Sequence, residues 1–216
     1  MHRTGELYGH FKTPEQQREA ASLGMWVFLV TEIMFFGGIF LTYVVNRSTY
    51  PGVFAEASRE LNVRMGGINT AVLIASSFTM AMAVWASETG KKKQLTLFLI
   101  LTLVLGGVFL GVKYFEYAEK FHHHLVPGSS FQFPGDVGSR AHAQLFFSLY
   151  FGMTGLHALH MVVGAGLLLW LVWHSLRGRY TPQYNTPVEM VGLYWHFVDI
   201  VWIYLFPLLY LIDRHK

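Results

Sequence analysis

The chain has 216 residues, of which 53% are hydrophobic and only 13% charged. That charged share is about half the usual value for soluble proteins, which marks an integral membrane protein. Cysteine is absent, so disulfides, iron–sulfur clusters, thiolate metal sites and cysteine nucleophiles are excluded. The formal charge of +3 is modest and spread through the loops, which fits anionic lipid headgroups and gives no case for nucleic acid.

Residues 1–20 form a polar N-terminal segment carrying Arg3, Lys12 and Arg18. Thr13 suits a helix N-cap, Pro14 the first helical position and Gln16 a capping box. We expect a short amphipathic lead-in at the membrane surface. The apolar run after it is too long for a signal-peptide core and shows no cleavage site, so no removed leader is expected. Five apolar stretches follow, at about 21–45, 67–86, 95–117, 143–173 and 188–211. Each reaches the roughly 20 residues that a helix needs to cross the hydrocarbon of a bilayer. Backbone groups have no water partner there, so the expected fold is all-α, a polytopic bundle of five transmembrane helices over 21–216. The fourth stretch is long enough to tilt or to project beyond the membrane.

Five spans put the termini on opposite sides. Basic residues divide almost evenly between the two sides, but Lys91, Lys92 and Lys93 crowd one short connection. Short basic loops stay in the cytoplasm, so the N-terminus is expected there and the C-terminus outside. The connections at 46–66 and 118–142 are long. The second holds Pro127-Gly128, Pro134-Gly135 and Gly138, all turn formers, and the run His122-His123-His124. Three adjacent histidines do not share a helix face, and we take them as solvated rather than metal-binding. Small residues within the spans, among them Gly37-Gly38, Ser76-Ser77 and Gly107 with Gly111, let helices approach closely.

Ionisable groups inside a membrane are costly and point to a protein, water or partner contact. Glu32 lies near the middle of the first stretch. It is expected either to donate a hydrogen bond as a neutral acid or to act as a proton station. Lys113 and Glu116, three apart at the end of the third stretch, read as a local ion pair near the interface. His157 and His160 lie in the fourth stretch, and His196 and Asp199 share a face in the fifth. As a ligand pool these histidines permit a bis-histidine haem with one axial ligand from each of two helices. A carboxylate-bridged di-metal site is poorly supplied, because no Glu-x-x-His occurs in any span. Trp195 and Trp202, seven apart, also share a face and suit a contact with lipid chains or another subunit. Glu189 opens the last helix, where an acid favours the helix dipole, and lies close in sequence to Arg177 and Arg179.

The stretches Leu23-Gly24-Met25-Trp26-Val27-Phe28-Leu29-Val30-Thr31-Glu32-Ile33-Met34-Phe35-Phe36, Gly155-Leu156-His157-Ala158-Leu159-His160 and Tyr194-Trp195-His196-Phe197-Val198-Asp199-Ile200-Val201-Trp202 occur in one chain in this order. Together they resemble subunit III of the haem–copper oxidases, in the short bacterial form without the first two of seven helices. The resemblance covers nearly all of the chain after the lead-in. It implies an accessory, non-redox subunit of a terminal oxidase that reduces oxygen to water and pumps protons in aerobic respiration. By the resemblance, haem and copper belong to subunits I and II, and this chain binds neither. Subunit I is the main partner, with subunit II, small subunits and phospholipids as further contacts, and membership of a respiratory supercomplex is compatible. The family subunit supports proton uptake and protects the active site during turnover, in a bacterial inner membrane. Glu32 matches the family's intramembrane glutamate and Glu189 an acidic position before the last motif. His157, His160, His196 and Asp199 then become hydrogen-bonding groups of the bundle. The rival readings are a haem b-type carrier using His157 or His160 with His196, and a proton-coupled transporter using Glu32 and Asp199. Against the latter, no internal repeat is visible between the halves.

Overall fold

The computed structural model describes residues 11–128, 131–133 and 137–211. Arg3, Pro134, Gly135, Arg214 and Lys216 lie outside the described residues. Among the described residues there are six α-helices: α1 Pro14–Thr49, α2 Pro51–Arg59, α3 Val63–Glu88, α4 Lys92–His122, α5 Val137–Leu176 and α6 Thr186–Phe206. One π-helical turn, Pro207–Leu211, continues α6. Five of these helices are long and apolar enough to cross a membrane, α6 together with its π turn being one of them. The expected all-α membrane bundle is therefore present.

The first helix starts as its sequence dictates. The Thr13 hydroxyl accepts from the Gln16 amide at 3.1 Å, and the Gln16 side chain accepts from the Lys12 amide at 2.9 Å. Residues 14–20 are the first turns of α1, so the lead-in and the first span are one continuous helix. Pro51 ends it, because a residue before proline avoids helical angles and Tyr50 adopts φ −125°, ψ 57°. The same proline opens α2, nine residues within the 46–66 connection that hydropathy alone leaves as loop. Phe54, Ala57 and Ser58 face inward on α2, and Phe54 meets Phe146 of α5 edge-on at 5.4 Å. Lys120 of α4 donates to the Glu60 carbonyl just past the helix end.

The remaining helices pack through rows spaced alternately three and four residues apart, the period that holds two helices side by side over several turns. In α3 the row is Gly66, Asn69, Leu73, Ser76, Met80, Ala83 and Ser87. In α4 it runs Leu95, Leu99, Thr102, Gly106, Phe109, Lys113, Glu116 and Lys120. In α6 it is Val188, Val191, Trp195, Val198, Trp202 and Leu205. The rows of α3, α4, α5 and α6 converge, and α6 is the most enclosed of the five spans. The first helix contributes only Leu29, Phe36 and Tyr43, seven apart, and rests against α5 and α6.

At Pro207 the ring nitrogen has no hydrogen to continue the helical ladder, and the chain widens into the π turn. This turn carries Tyr210 back over α4 and α5. Gly66 lets it approach, since a Cβ there would sit 2.7 Å from the Phe206 ring.

Candidate functional site

Polar side chains inside the spans gather at three places. The first is between α1 and α5. Glu32 Oε2 lies 3.2 Å from His160 Nε2, joining residues 128 positions apart, and both side chains are mostly buried. His160 Nδ1–H donates to the Leu156 carbonyl at 2.9 Å, which fixes where the ring carries that proton. Nε2 then either accepts from a neutral Glu32 carboxyl or, on a charged ring, donates to a carboxylate. Either way one proton is held between the two groups. Tyr194 of α6 donates to the His160 carbonyl at 3.0 Å, and the Phe36 ring lies 5.3 Å from the imidazole. Three helices thus fix the pair.

The second place is the inward face of α6. Trp195 is fully buried, which corrects the expectation of a lipid or subunit contact. Its ring fills slots opened by two glycines. A Cβ would stand 2.8 Å from it at Gly106 of α4 and 2.9 Å at Gly164 of α5. Its indole N–H donates to the Ser76 hydroxyl of α3 at 3.0 Å. Trp202 is corrected in the same way. It is buried against Phe109 and His157, with ring centres at 4.8 and 5.3 Å, and donates to the Thr70 hydroxyl at 3.0 Å. A shared helix face does not by itself distinguish inside from outside when both sides are apolar.

His196 and Asp199 share a face but do not bond to each other. His196 Nδ1 pairs with the Ser77 hydroxyl at 2.7 Å, while Asp199 is buried on the face of α6 that also carries Trp195 and Trp202. The same Ser77 side chain also adjoins the Asp199 carboxyl, and the His196 tautomer decides which of the two its hydroxyl hydrogen serves. His157 is fully enclosed between Phe109 and Trp202.

The third place was not singled out as a site in the sequence. Lys113 and Glu116 form a buried pair at 2.9 Å, deep in the packed row rather than at the surface. Lys113 also donates to the Tyr210 hydroxyl at 2.8 Å, and Tyr150 donates to Glu116 Oε1 at 2.8 Å. Tyr210 donates to the same Glu116 oxygen. The lysine stands 4.7 Å above the Trp202 ring, with the Tyr117, Tyr150 and Tyr210 rings beside it. Both charges are therefore matched in a dry setting, the condition under which a buried pair is tolerated. The signal was present: the apolar row Leu95, Leu99, Gly106, Phe109 continues with unbroken spacing onto Lys113, Glu116 and Lys120.

At the end of the bundle where α1 begins, Glu189 receives two hydrogen bonds from Arg18, at 3.0 and 3.1 Å. Its ionic partner is thus 171 residues away, not the nearby Arg177 or Arg179. Arg177 stacks on Trp173 at 4.0 Å and Lys91 on Trp85 at 4.0 Å. Gly178 holds a left-handed φ of 67° that lets the chain turn past Lys92. Between α5 and α6 the Tyr180 ring is buried, and burial pushes its hydroxyl well above the ordinary tyrosine range. His122, His123 and His124 are exposed.

Chemically, the three histidines of the motifs have different neighbours. His160 serves Glu32, His196 serves Ser77, and His157 is wedged between aromatic rings. A bis-histidine haem needs two rings facing one plane across an open slot, and these side chains offer none. Among the described residues no group of three or more histidine, aspartate or glutamate side chains is arranged to hold a metal ion. The fold and these sites define a multi-pass helical membrane protein whose polar groups couple helices.

A family model described as cytochrome c oxidase subunit III matches residues 1–213. The chain is 34% identical over 193 residues to cytochrome c oxidase subunit 3 of Thermostichus vulcanus, covering 89% of this chain and 87% of the relative. It is 35% identical over 191 residues to a probable cytochrome c oxidase subunit 3 of Nocardia farcinica, covering 88% and 87%. Against quinol oxidase subunit 3 of Bacillus spizizenii the identity is 32% over 209 residues, covering 94% and 95%. The chain belongs to the cytochrome c oxidase subunit III family, and it is an accessory subunit of a haem–copper oxidase.

Proposed function

We propose that this chain packs on subunit I of a proton-pumping terminal oxidase, where it supports proton uptake and the stability of the oxygen-reducing site. The observation that carries this reading is the family match along residues 1–213. The Glu32–His160 pair agrees with it, since a proton held between two side chains that keep some exposure suits a partner-facing position. Haem and copper are held by partner subunits I and II, and other small subunits or a supercomplex complete the assembly. The histidine arrangement supports this division, because His160 and His196 are hydrogen-bonded within the bundle and His157 is enclosed between the Phe109 and Trp202 rings.

The membrane is a bacterial inner membrane, with the N-terminus in the cytoplasm. The lysines of the short connection at 91–93 support that side by the positive-inside rule. Trp173 and Trp85, each covered by a cation, mark the water–lipid boundary at the same end. Arg177, Arg179 and the lysines there would meet phospholipid phosphates. Glu189 would keep α1 docked beside them through Arg18.

Glu32→Gln tests the accessory role. The amide keeps a hydrogen-bond donor for His160 but removes the exchangeable proton. Assembly and electron transfer should persist, while proton uptake slows and inactivation during turnover becomes faster. Loss of the haem–copper centre in this variant would overturn the role given to Glu32. Masses of the copurifying subunits test the partners directly.

A further inference from the structure

Two connections meet at one end of the bundle, and both are basic. The turn into α4 supplies Lys91, Lys92 and Lys93, and the connection from α5 to α6 supplies Arg177 and Arg179. Three contacts bring them together. Thr96 of α4 bonds to Ser175 of α5 at 2.7 Å. A Cβ on Gly90 would stand 3.2 Å from the Pro182 ring. The Lys92 ammonium reaches the second connection itself, 3.7 Å from the Cβ position of Gly178, the residue between Arg177 and Arg179.

Cations drawn together in this way repel one another. Glu88 is the only acid within residues 85–97 and 173–186. Among the described residues it pairs with none of the five cations, and Glu189 is taken by Arg18. The lysines also open a helix, where the backbone dipole already places partial positive charge. The first turn of α4 has no side-chain cap and no acid. Its start is therefore positive in both side chains and backbone. An anion between the two connections relieves the repulsion and the clash with the dipole together.

The surroundings say which anion. Lys91 lies over Trp85 and Arg177 over Trp173, each at 4.0 Å, and tryptophan sits at the depth of lipid headgroups. Held by its face, a guanidinium keeps its in-plane N–H groups for a phosphate. The same two helices leave Leu97 and Leu101 of α4 and Leu169 and Leu176 of α5 exposed, a surface for acyl chains. We propose that the two connections form one headgroup site for a phospholipid of net negative charge, its phosphate held between Lys92 and Arg177 and its chains lying on α4 and α5. A zwitterionic headgroup brings a cation of its own into the cluster and is disfavoured. The proposal rests on the reading above that this end meets phospholipid phosphates, and adds a place and a lipid class.

The test uses the intact oxidase complex and a phosphatidylglycerol that carries a photoreactive group beside its phosphate, with cross-linked peptides mapped by mass. Label should enter residues 85–97 and 173–186. Unlabelled phosphatidylglycerol should compete well below the concentration at which phosphatidylethanolamine does, and inorganic phosphate should not compete. A basic residue at an anionic lipid surface is worth about fivefold in binding. Lys92→Gln or Arg177→Gln should therefore weaken labelling about fivefold, and both together more than about tenfold. Arg64→Gln, an equal loss of charge at the opposite end of α3, should leave it unchanged. Equal competition by the two lipids, or labelling that survives both substitutions, overturns the site while the general contact with phospholipid stands. Competition by inorganic phosphate overturns it in favour of a free anion. If neither peptide is labelled while other segments of the chain are, the site and the general contact fall together. If a variant fails to assemble, competition in the unaltered complex decides.

Discussion

The two helices that end the chain order, α1 and α6, solve opposite problems. In α6, 56% of the most apolar stretch is buried; in α1 the share is 17%. Both sequences are strongly apolar, so hydrophobicity does not separate them. The difference lies in what the neighbours provide. Gly106, Gly164 and Gly192 remove side chains where α6 must sit close, and its two tryptophans fill the space. Among the described residues, α1 fully buries three side chains spaced by seven and adds polar tethers to α5 and α6. In a membrane, lipid competes on equal terms for apolar surface, so close packing and hydrogen bonds decide which helix is held. The exposed face of α1, with Trp26, Ile33 and Met34, is left for lipid or for a neighbouring subunit.

The largest effect should come from the polar lock at the far end of α6. Glu116→Ala strands Lys113 in the core without its anion, and removing one partner of a buried pair costs about 3–5 kcal/mol. The π turn with Tyr210 should detach from α4 and α5. Thermal unfolding of the chain in detergent should show a strongly lowered midpoint, and protease sensitivity should rise after residue 206. Glu116→Gln, which still accepts from the tyrosines, should fall between Glu116→Ala and the unaltered chain.

Next comes the middle of α6. Gly164→Val places carbon within 3 Å of the Trp195 ring, a large flat group already enclosed by α3 and α4. Overpacking of this kind costs about 1–3 kcal/mol. Gly166→Val, two residues on and open around its Cβ position, should be nearly neutral. If the two variants unfold alike, the packing that distinguishes α6 from α1 is not set by these slots.

These same residues show how far the sequence could be read. The five spans and the start of α1 at Thr13 were legible, because bilayer thickness and capping chemistry act locally. The nine residues of α2 were not, since their amphipathic pattern is too short to stand out from a loop. Trp195 and Trp202 were assigned to the outside because lipid and core are equally apolar, and only the facing glycines on α4 and α5 reveal the direction. The pairings of Glu32 with His160 and of Arg18 with Glu189 join residues more than a hundred apart. Each partner was visible alone, but tertiary packing chooses the match. Lys113 and Glu116 were recognised as a pair, but not as part of the packed face, although the spacing of the α4 row carries them inward.

A smaller effect is expected where α1 meets the start of α6. Arg18 is largely exposed and Glu189 is not, so water screens the bond, and such surface pairs contribute below about 1 kcal/mol. Arg18→Ala should leave the unfolding midpoint almost unchanged in moderate salt. Cross-linking between cysteines introduced near residues 18 and 189 should nevertheless slow, because the Arg18–Glu189 bond ties the start of α1 to the start of α6. An equally large loss of stability from Arg18→Ala and Gly164→Val would mean that α1 is as deeply held as α6.

The smallest effect concerns the loop that delivers the chain into α6. The Tyr180 hydroxyl is buried without a partner among the described residues, and Thr181 and Tyr184 close the loop with paired backbone hydrogen bonds. Burial raises its pKa above that of an unfolded tyrosine, about 10. The folded loop therefore keeps its proton where the unfolded chain would lose it. This contribution is complete below about pH 10 and declines as the pH rises beyond it. Tyr180→Phe removes the unsatisfied hydroxyl and the titration together. Stability at neutral pH should change by less than about 0.5 kcal/mol, in either direction. Above about pH 10 the variant should keep its midpoint better than the unaltered chain does. Identical alkaline profiles would show that the loop opens before Tyr180 titrates, and that the entry to α6 is held more loosely than its core.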